Sequence, residues 1–407
     1  MLFIYSPLTE AIKLNPNDAS HYDIRGTAYY LMDQHEQAIK DFTEAIRLGS
    51  DSASTYSLCG TACVQLGQYD QGIKYLTEAI RLVPTDSLAY RFRGTAYSEL
   101  EHHEQAAKDL TEAIRLNPND TSAYNSRAGV YGLLAQYDLA IKDFTEVIKL
   151  NPSDASAYSG RGTAYYQLVQ YEQAIKDLTE AIKDNHKIAF SYYLRGTAYF
   201  QLSQYEQTIK DLTEAISLDP SDASSHSFRG MAYVKLGQYE QAVKDLTEAI
   251  RLDPTDSLAH RFRGSAYSQL EQHEQAIKDL SEAIRLDPTD EHAYTARGTV
   301  YYSELDQYDQ GIKDFTEAFR LNPNNYVALL NRGTIYSHLN QHDLANKDYN
   351  EVIKIEPNDY MSYMCRGSAY YSLGQLDKAR NDIETALTLN PDSMTLPQAQ
   401  AMLEKLR

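Results

Sequence analysis

The sequence predicts an all-α solenoid of eleven helix-turn-helix units. Three observations predict it: a phrase that returns every 34 residues, apolar residues spaced for one helix face within each return, and a length of 407 residues. A single globular core rarely grows past about 250 to 300 residues, so a chain this long is either several domains or one repetitive array. The marker of the period is the glycine of Arg-Gly-Thr-Ala-Tyr, a phrase found at Arg25, Arg161 and Arg195 among others, with close variants in further repeats. It falls at Gly26, Gly60 and Gly94, then Ala128 holds the slot, and it resumes at Gly162, Gly196, Gly230, Gly264 and Gly298. Gly333 follows after 35 residues and Gly367 after 34 more. A fixed period of this size describes units that cannot bury an apolar face alone and do so by stacking on their neighbours.

Each unit reads as two helices. In the first, aromatics four before and three after the marker, such as Tyr158 and Tyr165 around Gly162, make one stripe with it at i, i+4 and i+7. The missing side chain at the glycine lets the second helix approach closely. Ala174, Leu178 and Ala181 form the matching stripe of that second helix. The run Asn151 to Asp154 shows how units join: Pro152 stops one helix and Asp154 caps the next.

Residues 8–16 match the second half of a unit, so the chain starts inside a repeat, as a worn N-terminal cap or as a piece of something longer. Residues 396–406 read as an added amphipathic helix that covers the last exposed face. The expected division is a partial repeat over 1–18, five units over 19–188, six units over 189–393 and a capping helix over 394–407. Units five repeats apart are alike, as in PTDSLAYRFRGTAYSEL from residue 84 and PTDSLAHRFRGSAYSQL from residue 254, which suggests a duplicated block with its seam at 184–188. Further irregularities are a proline missing at Ser50 and one residue inserted between Ser303 and Leu305.

The formal charge of −19 opposes binding to nucleic-acid phosphates or anionic lipid, and no stretch of 18 apolar residues is present to insert in a membrane. The N-terminus has neither a basic segment nor a small-residue cleavage site, so a cytoplasmic location is expected. No cofactor or metal site is expected either. Cys59 and Cys63 lie one helical turn apart in slots that hold Arg and Tyr in sister units, and read as packing substitutions. His35, His103, His226, His260 and His342 take slots filled elsewhere by Tyr. With no phosphate loop, nucleophile elbow or metal motif, the chain is expected not to be an enzyme.

Ten units carry Arg before the marker slot and ten carry Asp in the second helix, as in Arg161 with Asp177. Unit two lacks both and holds Cys59 and Tyr75 instead. Each position flanks its core stripe, so the two are expected to meet as an ion pair inside each unit. Glu172, Lys176 and Glu180 recur at i, i+4 steps and describe a solvated outer face.

This pattern of an aromatic, Gly, Tyr, Ala, Leu or Phe, Ala and Pro over 34 residues resembles the tetratricopeptide repeat, and the resemblance covers nearly the whole chain. Arg stands where Leu usually precedes the glycine, and Tyr or His where Trp usually opens the helix. The resemblance implies a right-handed superhelix whose first helices line a groove for a protein or peptide partner. It places ligand contacts six and three residues before the glycine and one, four and five after it. Here the slot one after is mostly Thr, without the Asn and Lys that hold a chaperone's C-terminal carboxylate, so a chaperone tail is disfavoured. The most aromatic stretch of that stripe is Tyr166, Gln167, Phe190, Tyr193, Thr197, Phe200 and Gln201, and Lys235 with Arg261 makes a small basic spot, as Arg91 does upstream. The expected function is an interaction scaffold. The alternatives are a self-assembling repeat module or the substrate-recognition arm of a larger enzyme.

Overall fold

The computed structural model describes residues 2–184, 188–390 and 396–405. Among the described residues there are 24 helices, from α1 (Leu2–Leu14) to α24 (Leu396–Lys405), and no strand. The chain divides into two compact units, residues 1–202 and 203–407. The first holds α1, then five helix pairs from α2 (Ala19–Leu31) with α3 (His35–Arg47) to α10 (Ala155–Gln167) with α11 (Tyr171–Asp184), then α12 (Ala189–Gln201). The second holds α13 (Tyr205–Leu218), five pairs from α14 (Ala223–Lys235) with α15 (Tyr239–Leu252) to α22 (Tyr360–Ser372) with α23 (Leu376–Leu389), then α24.

The repeat's own chemistry sets the helix ends. Asp154 accepts the backbone N–H of Ala157 at 2.9 Å and starts α10, and Asp86, Asp120 and Asp256 do the same for their helices. Helix α12 is different: its N-cap is Ile188, which offers no side-chain acceptor. The rest of the proposed seam, 185–187, lies outside the described residues. Within a pair, the chain reverses through one residue in the left-handed region, Gly67 at φ 72° or Val169 at φ 61°, and the N–H three residues past the first helix bonds back, as Gln170 does to the Tyr165 carbonyl at 2.9 Å. The extra residue expected near 303–305 enters this turn, which runs over 304–307 between α18 (Glu291–Ser303) and α19 (Tyr308–Leu321) and leaves both helices whole.

The core of a repeat centres on one large side chain of its second helix with small alanines around it, as Leu178 has Ala174 and Ala181. Leu178 is fully buried, and a Cβ built on Gly162 would come within 2.9 Å of its Cγ, so the marker glycine is a close approach between helices. Met402 and Leu403 of α24 pack against Ala379 and Ile383 of α23, which is the covering role expected of the last helix. On the outer face Glu180 pairs with Lys183 at 2.6 Å, an i, i+3 step in place of the expected i, i+4 ladder.

Candidate functional site

The Arg and Asp that recur from repeat to repeat pair with each other inside it. Arg161 donates Nε and Nη2 to the two carboxylate oxygens of Asp177 at 2.6 and 2.9 Å. The same bidentate pair joins Arg93 to Asp109, Arg229 to Asp245, Arg263 to Asp279 and Arg366 to Asp382. The Asp177 hydrogen bonds hold the Arg161 pKa above its usual value, outweighing burial, which acts the other way. Sequence spacing anticipated this pair but missed its third arm: Nη1 of Arg161 donates to Thr145 Oγ1, in the preceding repeat, at 3.0 Å. Arg195 reaches Thr179 the same way. In unit two Cys59 is fully buried and the Tyr75 ring packs 6.4 Å from that of Tyr56, so the pair is replaced by apolar contact. Cys63 is also fully buried.

Along the first helices of residues 1–202 the sequence-selected residues separate into three groups. Phe190 is 52% exposed, and Gln167 and Gln201 are exposed. Tyr166 and Tyr193 are half-buried and packed on the core of Ala174, Leu178 and Leu194, with Tyr166 edge-on to Tyr171 at 5.4 Å and Tyr193 at 6.4 Å from Phe190. Phe200 is also half-buried. Thr197 is corrected: it is 1% exposed and donates its hydroxyl to the Leu194 carbonyl at 2.9 Å, so no ligand reaches it. The other threonines of that slot spend their hydroxyls similarly, Thr163 on Ser159 and Thr95 on Arg91.

The basic spot is also reduced. Arg261 pairs with Asp290, the N-cap of α18, at 2.7 Å and stacks on Phe262 at 4.6 Å, and Arg91 pairs with Asp120 at 3.1 Å. Of the two residues selected, Lys235 has its ammonium 5.9 Å from the centre of the Phe262 ring.

A depression that the sequence reading did not select runs along four successive first helices, α6 (Ser87–Glu99), α8 (Thr121–Leu133), α10 and α12. One cavity of about 320 Å³ is lined by Gly129, Gly132, Leu133, Phe144, Gly160 and Gln167. A second, of about 530 Å³, shares Phe144 and Gly160 and extends to Ile188 and Phe190. A third, of about 390 Å³, shares Gly129 and Leu133 and extends to Thr95 and Glu99. Three adjoining hollows with common walls make one trough. Its signal was in the sequence: Gly129 where sister units hold Thr, and Gly132 where they hold Tyr30, Tyr166 and Tyr302.

Among the described residues no helix is long and apolar enough to cross a membrane. Tetratricopeptide repeat models match residues 60–121 and 229–291, 291–325 and 326–359, and 361–393, and a TPR repeat model matches 135–169 and 196–237. The model of the anaphase-promoting complex, cyclosome, subunit 3 matches residues 2–79. No curated protein matches the chain. Similar solved structures include YrrB, described as a TPR protein with an unusual peptide-binding site, at 25% identity over 47% of this chain and 98% of that one with a TM-score of 0.43. The APC/C hetero-tetramer Cut9-Hcn1 is similar at 14% identity over 98% and 92% with a TM-score of 0.49, and the yeast Tom70 at 16% over 95% and 95% with 0.42. With its repeat models spread over more than half of its length, the chain belongs to the tetratricopeptide repeat family.

Proposed function

We propose that the chain is an interaction scaffold that holds a peptide or protein segment of a partner along the first helices of residues 1–202. The observation that carries this reading is the trough: three connected hollows whose walls include the exposed apolar side chains Leu133 and Phe190. Exposed apolar surface beside amides such as Gln167 and Gln201 suits a segment that buries side chains and bonds through its backbone. The stripe of Tyr166, Gln167, Phe190, Tyr193, Phe200 and Gln201 forms the rest of that face, and Lys235 is a separate and weaker contact for an acidic residue.

The test uses the exposed members, because Tyr193 and Tyr166 also hold the core. Partners captured from extract by the full chain are compared with those captured by the Phe190→Ala, Gln167→Ala double variant. The expected result is loss of a defined set of proteins, with affinity reduced by about 2 kcal/mol and an unchanged helical melting curve. Capture of the same set at the same strength overturns the reading. So does light scattering that shows a stable oligomer dispersed by the same substitutions, since the trough is then filled by a second copy.

A further inference from the structure

We propose that the hollow over Phe144 is a receptor for one bulky apolar side chain, preferably aromatic, from a partner segment that carries Lys or Arg nearby. This rests on the reading that the first-helix face holds such a segment, and it names what that segment contains.

The core position of the second helix is fully buried in every other repeat, for example Phe42, Leu110, Leu178 and Phe315. Phe144 is only half-buried. The cause lies in its own repeat. In repeats one and nine a Cβ on the marker glycine would stand 2.9 Å from Phe42 and 3.0 Å from Phe315, whereas repeat four holds Ala128 in that slot. The Phe144 ring lies over Gly160 of the next repeat instead, where a Cβ would come within 2.4 Å of Cζ. A core ring has thus been turned to form the floor of an open hollow.

The walls were cleared independently. Gly129 and Gly132 sit inside α8, where glycine costs about 1 kcal/mol relative to alanine. Nothing lies within 4 Å of a Cβ built on either, so packing does not require them. What they create is the space of about 320 Å³, at the lower end for a ligand pocket and sized for a single side-chain anchor. Leu133, 65% exposed, stands at its edge.

Charge completes the description of the occupant. Among the described residues, Glu99 is the one charged side chain lining the three hollows, and the chain's net charge is −19. A cation on the ligand is attracted there and a carboxylate repelled. Neighbouring helices pack about 10 Å apart, which is about three residues of extended chain, so the basic residue belongs some three positions from the apolar one.

Short random peptides displayed on phage and selected on the full chain test this. The expected enrichment is Phe, Tyr, Trp or Leu followed or preceded at about three positions by Lys or Arg. The Gly129→Thr, Gly132→Tyr variant restores the residues of sister repeats and fills the hollow. It should keep the helical circular dichroism and bind the selected peptides at least about tenfold more weakly. Gly129→Thr alone, a smaller change, should give a partial loss, and Glu99→Gln should remove the preference for Lys and Arg. Equal binding by both glycine variants, or enriched peptides without the apolar residue, overturns this receptor while leaving the scaffold reading in place. Failure to enrich any peptide overturns both.

Discussion

Arg161 donates Nη1 to Thr145 Oγ1 across the boundary between two repeats, at 3.0 Å. The same guanidinium holds Asp177 in its own repeat, so one side chain ties three consecutive helices. Thr145→Val keeps the shape and removes the acceptor, leaving one charged N–H without it. A loss of about 1 to 2 kcal/mol in urea unfolding is expected.

Removing Asp177 alone leaves a mostly buried guanidinium unpaired, and Asp177→Ala should cost about 3 kcal/mol. Unit two shows a tolerated joint replacement, Cys59 with Tyr75. The Arg161→Cys, Asp177→Tyr double variant should therefore be more stable than Asp177→Ala, and a thermodynamic cycle on the pair should give a coupling of the opposite sign to the single losses.

Asp279 supplies the pH dependence. Burial would raise its pKa, but the hydrogen bonds from Arg263 and His260 outweigh that and hold it below the ordinary value. The unfolded chain then takes up the proton first as pH falls. The carboxylate's contribution is complete at neutral pH, declines as pH enters the ordinary Asp range and is gone below the folded value. Between about pH 7 and about pH 3 the urea midpoint should fall less for Asp279→Asn than for the unaltered chain.

The same substitution should act in opposite directions at two glycines. Gly162→Ala drives a Cβ to 2.9 Å from Leu178 and should destabilise by about 1 to 3 kcal/mol. Gly132→Ala meets nothing and should stabilise by about 1 kcal/mol. Thermal unfolding of both variants reads the signs.

Val169 is a β-branched residue in the left-handed region, φ 61°, where Gly67 and Gly237 serve sister repeats. Val169→Gly relieves that conformation at the expense of unfolded-state entropy, and a net gain of about 0.5 to 1 kcal/mol is expected in the melting temperature analysis.

The period and the face of each helix were legible because both are properties of a single helix: a stripe such as Tyr158, Gly162 and Tyr165 has a spacing that can be counted. The Arg161–Asp177 pair was legible from the joint absence of both residues in unit two. What periodicity does not encode is which neighbouring helix supplies a partner. Arg261 therefore looked free although the capping Asp290 holds it, and Thr197 looked available although its hydroxyl turns back to Leu194. The hollow over Phe144 depends on where a ring goes when Ala128 takes the glycine slot, a packing outcome spread over two repeats.

The placement of charge divides the protein's response to salt. The Arg–Asp pairs that join helices are shielded from solvent, with side chains such as Arg127 and Asp143 exposed by only 15% and 6%. Pairs such as Arg47 with Glu44 lie in open water at 64% and 33%. At about 1 M salt the screening length shrinks to about 3 Å, which mutes the outer carboxylates and barely touches the inner pairs. Ionic strength should therefore change the field at the outer surface while the pairs that join the helices persist.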